Sequence, residues 1–352
     1  MKRSLCMAAL LLCWLCASGC GLGARHGATP LPTPATPEMP ETSGAPVPAD
    51  ALAVREALSL AGGSYRSADP GLPAIDVAGG GRLQASGLTI DKTGDGLSPA
   101  SGAASGMLPG GENAAVRVAE GGQASFSGSA ITSGAAGGHA LFVSGPESSA
   151  ALSDTMVVAT GCTAAAVYAD GGASISAASC DLFADGEGAA ALFLTGGGEI
   201  RCAQAQISAG GTSVAAALYG GTLTLTDCTV LGDLRFHGAG NRLDCTRSRL
   251  EGTIRFPDAE DEADISLSDS SLFCGATGGD GAIGISISLD ATSRWQLTGD
   301  SYVAGFVNAD ESFSNIESAG FSIYYNSELE ANAALAGRSY ALPGGGFLIP
   351  LI

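Results

Sequence analysis

Positive charge is scarce in this sequence. Sixteen Lys and Arg face 35 Asp and Glu, for a formal net charge of −19. Phosphate binding needs clustered cations, so nucleic acid is excluded as an expected partner. Charged residues make up only 14% of the chain and aromatics 6%, which leaves few platforms for stacking on sugar rings. The three histidines, His26, His139 and His237, are scattered, and no C-x-x-C occurs beyond the first 20 residues, so neither metal nor cofactor is expected. Beyond Leu5–Ala17 there is no long apolar run, and that run is too short to span a bilayer comfortably. Glycine is abundant instead, at 53 residues, and hydrophobic residues reach 45%, too many for a disordered chain.

The first 19 residues read as an export signal: Lys2 and Arg3, the apolar run, then Ala17-Ser18-Gly19-Cys20. That tetrad resembles the lipobox of bacterial lipoproteins, which implies lipidation at Cys20 and a membrane partner through the acyl chains. A plain secretory signal cut near the same place is the alternative. Residues 20–49 form a Pro/Thr-rich linker with seven prolines between Pro30 and Pro48, a semi-rigid spacer in extended conformations.

A short skeleton then recurs, first seen in "GGRLQASGLTI" (80–90). Its first apolar column is Leu83, Ala124, Ala150, Ile175, Ile200, Leu223, Leu243 and Ile265. The second, two residues on, is Ala85, Phe126, Leu152, Ala177, Cys202, Leu225, Cys245 and Leu267. A small-residue column runs Leu88, Ser129, Thr155, Cys180, Ala205, Cys228, Ser248 and Ser270. The fourth column is Ile90, Ile131, Val157, Leu182, Ile207, Val230, Leu250 and Leu272. Weaker copies begin at Trp295 and Ile316. A second motif, such as "AAVRV" (114–118), "ALFV" (140–143) and "AAVY" (165–168), precedes the skeleton, separated by Gly-rich turns.

Period-two alternation is strand and not helix. A repeat of two or three short strands cannot bury its own apolar face, but stacked copies can. The expected fold is therefore all-β: a single-stranded right-handed parallel β-helix solenoid of about ten coils over residues 63–325. Leucine-rich repeats and propellers need other periods. Residues 50–62 are expected to be an N-terminal cap, with a short helix over "DALAVREALSL" capped by Asp50. Residues 326–352 are expected to be a C-terminal cap whose apolar tail "GGGFLIPLI" folds back over the last coil.

The rung spacing resembles right-handed β-helix proteins of the pectate-lyase-like superfold. The stretch "SRWQLTGDSYVAGFVNADESFSNIESAGFSIYY" (293–325) is similar to the end of adhesin-like repeat proteins of bacterial surfaces. The superfold carries lyases, hydrolases and adhesins, so the resemblance speaks to architecture more than to function. A lyase of this kind is implied to need a basic residue and calcium carboxylates in a groove. Arg235, Arg242, Arg247, Arg249 and Arg255 cluster, but without a matching acidic cluster.

Six cysteines lie beyond the signal. Cys202 and Cys245 share a column two coils apart, as do Cys180 and Cys228; about 9–10 Å between backbones is too far for a disulfide. Free, buried thiols are expected, and in an exported protein they point to a reducing or anaerobic habitat. Asp227, Arg247 and Asp269 precede the third column in successive rungs and read as an ion-pair ladder rather than a catalytic carboxylate pair. In the "AAVRV" motif one parity gives Phe142, Val167, Phe193 and Leu218, flanked by Arg117, Arg235 and Arg255. This is a candidate contact stripe, covered either by a partner or by the chain's own extra loop (91–112) with Met107 and Leu108.

The expectation for function is a cell-surface lipoprotein, non-enzymatic, acting in adhesion or envelope contact with surface glycans or proteins. The alternatives are a polysaccharide-active lyase or hydrolase or a carbohydrate-binding relative, and a purely structural spacer.

Overall fold

The computed structural model describes residues 52–96, 111–278 and 284–351. The signal, Cys20, the linker, Asp50 and most of the extra loop lie outside these residues. The described chain is an all-β parallel solenoid of about eleven turns. Each turn contributes up to three strands, as in Ala165–Asp170, Ser174–Ala178 and Asp181–Ala184. Equivalent strands pair in parallel from turn to turn, and the third-strand sheet alone runs to eleven strands. At about 4.8 Å per rung the solenoid is about 50 Å long.

The first two columns stack as the spacing predicts. Ile175 pairs with Ala150 and Ile200, Leu225 with Cys202 and Cys245, and both columns continue through Ile265 and Leu267. Their side chains point inward and form one continuous core. The fourth column holds from Ile90 to Leu250, then departs by one residue. Phe273, not Leu272, pairs with Leu250, and Trp295 and Ile316 follow. The preceding corner carries an extra residue, with Asp269 and Ser270 both at positive φ. Ser271 therefore takes the small-residue place expected for Ser270.

The corner between second and third strands explains the two-residue gap in the repeat. Gly128, Asp154, Ser179, Gln204, Asp227 and Arg247 occupy it with φ between 48° and 55°, a left-handed kink that turns the chain onto the next face. The next residue points inward, where a small hydroxyl fits. Ser248 Oγ accepts the buried N–H of Cys228 (3.0 Å), and Ser271 Oγ accepts that of Ser248 (3.2 Å). The small column thus supplies hydrogen-bond acceptors that the bent backbone would otherwise lack.

Both ends differ from expectation. The described part of the expected helix is extended: Leu52–Val54 and Ala57–Ala61 are strands, paired with Ile75–Val77 and Arg82–Ser86. Ala, Leu, Glu and Arg favour helices in isolation, but Leu58 and Leu60 stack on Leu83 and Ala85, and that packing overrides propensity. At the other end Phe347–Leu351 does not fold over the last coil; it adds a parallel strand to Ile323–Asn326 and pairs antiparallel with Tyr340–Ala341. The covering element is a 3-10 helix, Glu330–Leu335. Its buried Asn332 accepts from Phe306 N–H (2.7 Å) and donates to Ala304 C=O (2.7 Å), satisfying the last edge of the long sheet.

Two substitutions test this framework. Leu182→Ala should destabilise by about 2–5 kcal/mol through a core cavity. Ser248→Ala should cost about 1–3 kcal/mol by orphaning the Cys228 N–H. Denaturant unfolding measures both, and a Ser248→Ala protein as stable as the parent would refute the corner account.

Candidate functional site

Outside the main core, the first strands build an aromatic column. Phe142 pairs with Arg117 and Tyr168, and Tyr168 with Phe193. The outward residues are therefore Arg117, Phe142, Tyr168, Phe193, Ala217, Arg235 and Arg255. Phe142 and Phe193 stand where the stripe was expected. Val167 and Leu218 do not: they point inward, beneath Leu141 and Leu194. Both faces of this strand are apolar, so alternation left its parity undetermined.

The column is not exposed. Phe142, Tyr168 and Phe193 are 5%, 3% and 2% accessible and pack with Ala114, Ala165, Ala190 and Val214. Part of the cover comes from the far end of the extra loop: a Cβ on Gly111 would lie 1.9 Å from Phe142 Cδ1, so the backbone sits directly on that ring. Successive rings meet edge-to-face, Phe142 to Tyr168 at 4.9 Å and Tyr168 to Phe193 at 4.7 Å. His139 closes one end and Tyr219 with His237 the other. Burial pushes the Tyr168 and Tyr219 hydroxyls up to about 12.

The corner positions carry the ion ladder. Arg247 Nε and Nη2 donate to Asp227 at 2.8 and 3.0 Å, and Nη1 reaches Asp269 at 3.4 Å. All three side chains are solvent-exposed. One rung on, Asp290 accepts the Asp269 N–H at 2.7 Å and the Ser293 N–H at 2.7 Å. Partial desolvation raises its carboxyl, but these bonds and those from Thr292 prevail and hold it at about 2. The neighbouring arginines are likewise engaged: Arg242 with Asp244 at 2.7 Å, Arg255 with Asp233 at 2.7 Å, and Arg249 with Glu251. This basic cluster is largely neutralised from within, which leaves it poorly suited to grip an acidic polymer.

All six described cysteines are free, and Cys180, Cys202, Cys228 and Cys245 are buried. Burial pushes their thiols up, keeping them protonated and unreactive. A histidine–aspartate group is the arrangement that spacing concealed. His237 comes together with Asp258 and Asp261, their donor atoms all within 4.8 Å of one another. The separation of 21 to 24 residues is one coil length, so only the coil register could have revealed it.

The exposed aromatics lie elsewhere. Tyr302 and Tyr324 pair across neighbouring strands and stack at 4.9 Å with rings 14° apart. No protein-family model matches the chain, and no curated protein matches it.

Phe193→Ser should lower stability by about 3–5 kcal/mol, as for a buried aromatic truncation, with no separate binding defect. A stable variant that loses binding would return the stripe to the status of a docking surface. Because the Asp290 pKa is depressed in the fold, its contribution is present above the ordinary carboxylate value of 3.8 and is lost as pH falls towards 2. Thermal unfolding should show Asp290→Asn shrinking the stability drop over that window; an unchanged acid profile would contradict the assigned bonding.

Proposed function

We propose that this chain is a surface-anchored, non-enzymatic β-solenoid that makes contacts for adhesion or envelope interaction. One observation carries the reading. Among the described residues, the large apolar side chains left exposed are Tyr302, Val307, Phe321, Leu329, Phe347 and Leu351, all in the last coils. A lipid at Cys20 followed by a proline-rich spacer would tether the opposite end of the chain, so the apolar side chains fall in the coils furthest along it from the anchor. The earlier coils keep Phe142, Tyr168 and Phe193 covered and most of their arginines paired, which supports a scaffold rather than a catalytic groove there. The stacked pair Tyr302 and Tyr324 favours one specific variant, contact with glycans, since rings on neighbouring strands offer a stacking platform.

Binding of the 50–352 fragment to immobilised mucins and glycans, run beside a turnover assay on acidic polysaccharides, tests the reading. The expected result is saturable binding without turnover, weakened about tenfold or more by Tyr302→Ser with Tyr324→Ser at unchanged thermal stability. Product release from the polysaccharide would overturn the non-enzymatic assignment. For the anchor, Cys20→Ser should shift the full chain from the membrane to the soluble fraction, and continued membrane retention would remove it.

A further inference from the structure

The His237 imidazole ends the aromatic column in an unusual state. Its Nε2 is shut off from solvent and has no hydrogen-bond partner. The ring plane is fixed by stacking on Tyr219 at 4.3 Å with planes 11° apart. A buried ring nitrogen left unsatisfied calls for an explanation, and an unseen cation is one of the few available.

The surroundings are those of a ligand set. Asp261 is 2% exposed, and its carboxylate is aimed by two backbone donors, Gly238 N–H at 2.7 Å and Asp258 N–H at 2.8 Å. Each oxygen keeps a further lone pair. Asp258 is exposed on the same turn and able to swing. The two turns are clamped by buried Asn241, whose Nδ2 donates to the carbonyls of His237 (3.0 Å), Gly238 (2.9 Å) and Glu262 (2.9 Å). Such bonds orient ligands before any ion arrives. Arg235 places one positive charge nearby, against two carboxylates.

We propose that His237 Nε2, Asp258 and Asp261 form a three-ligand site for a divalent transition ion of the Zn2+ class. An imidazole nitrogen with two carboxylates suits Zn2+ or Mn2+ better than Ca2+, which takes oxygen donors. Zinc bonds of about 2.0–2.2 Å place tetrahedral ligands about 3.3–3.6 Å apart. The donor atoms now lie within 4.8 Å of one another, so the group must draw in by about an ångström, and the exposed Asp258 is the member freest to move. The fourth position is left to water. The site stands independently of the contact role proposed above.

The full chain, stripped of metal, is titrated with Co2+ as a spectroscopic probe and then with Zn2+ in competition. The expected result is one equivalent with intense tetrahedral-type cobalt absorption, displaced by Zn2+. His237→Gln and Asp258→Asn should each weaken binding about tenfold or more. Asp258→Asn is the safer variant for the fold because the side chain is exposed, and its thermal midpoint without metal should equal the parent's. Absence of saturable binding would overturn the site. So would binding that persists in both variants, or a thiolate-to-cobalt charge-transfer band marking capture by cysteines.

Discussion

Every feature of this molecule depends on parallel strands stacked in register, one coil directly over the next. A side chain in such a stack has its counterparts above and below at about 4.8 Å. Each interior position must therefore accept its neighbours' shape, and each corner must repeat the same left-handed kink. The corner hydroxyls show how narrow the solution is: they fill the interior and satisfy the N–H of the adjacent rung at once. Once the kink and its acceptor are in place, the three strands follow, and the exterior is free to vary in charge, ring or insertion.

The same constraint explains what could be read from the chain alone. Columns such as Ile175 over Ile200 over Leu223 are legible because only one face of those strands is apolar. The stripe was legible to within one residue. In Ala165–Asp170 nearly every side chain is buried, and a strand covered on both sides carries no parity signal, so Tyr168 exchanged places with Val167. Phe273 replaced Leu272 because a doubled corner at Asp269 and Ser270 leaves no trace in hydropathy. The opening strands were hidden by helix-favouring residues whose behaviour is settled by the next coil's Leu83 and Ala85.

The candidate sites divide along the same line. The ladder of Asp227, Arg247 and Asp269 occupies corresponding corners, so its members share a visible place in the repeat. His237 and Asp261 occupy unlike places in adjoining coils and meet only because coil length happens to bring two turns together. Charge follows suit. The arginines of the later coils are answered locally by carboxylates, yet acidic residues outnumber them there as they do along the whole chain.

The insertion after Lys92 shows what the architecture tolerates. Leu83 and Ala124 are 41 residues apart, against 25 between Ala150 and Ile175, yet each pair sits on adjoining rungs with unbroken hydrogen bonding. The surplus of 16 residues falls between Lys92 and Val116, and the strands on either side keep step. That junction behaves as a splice port. Extra length is absorbed at that point without shifting a single rung, because register is set by the strands on either side and not by the chain that joins them.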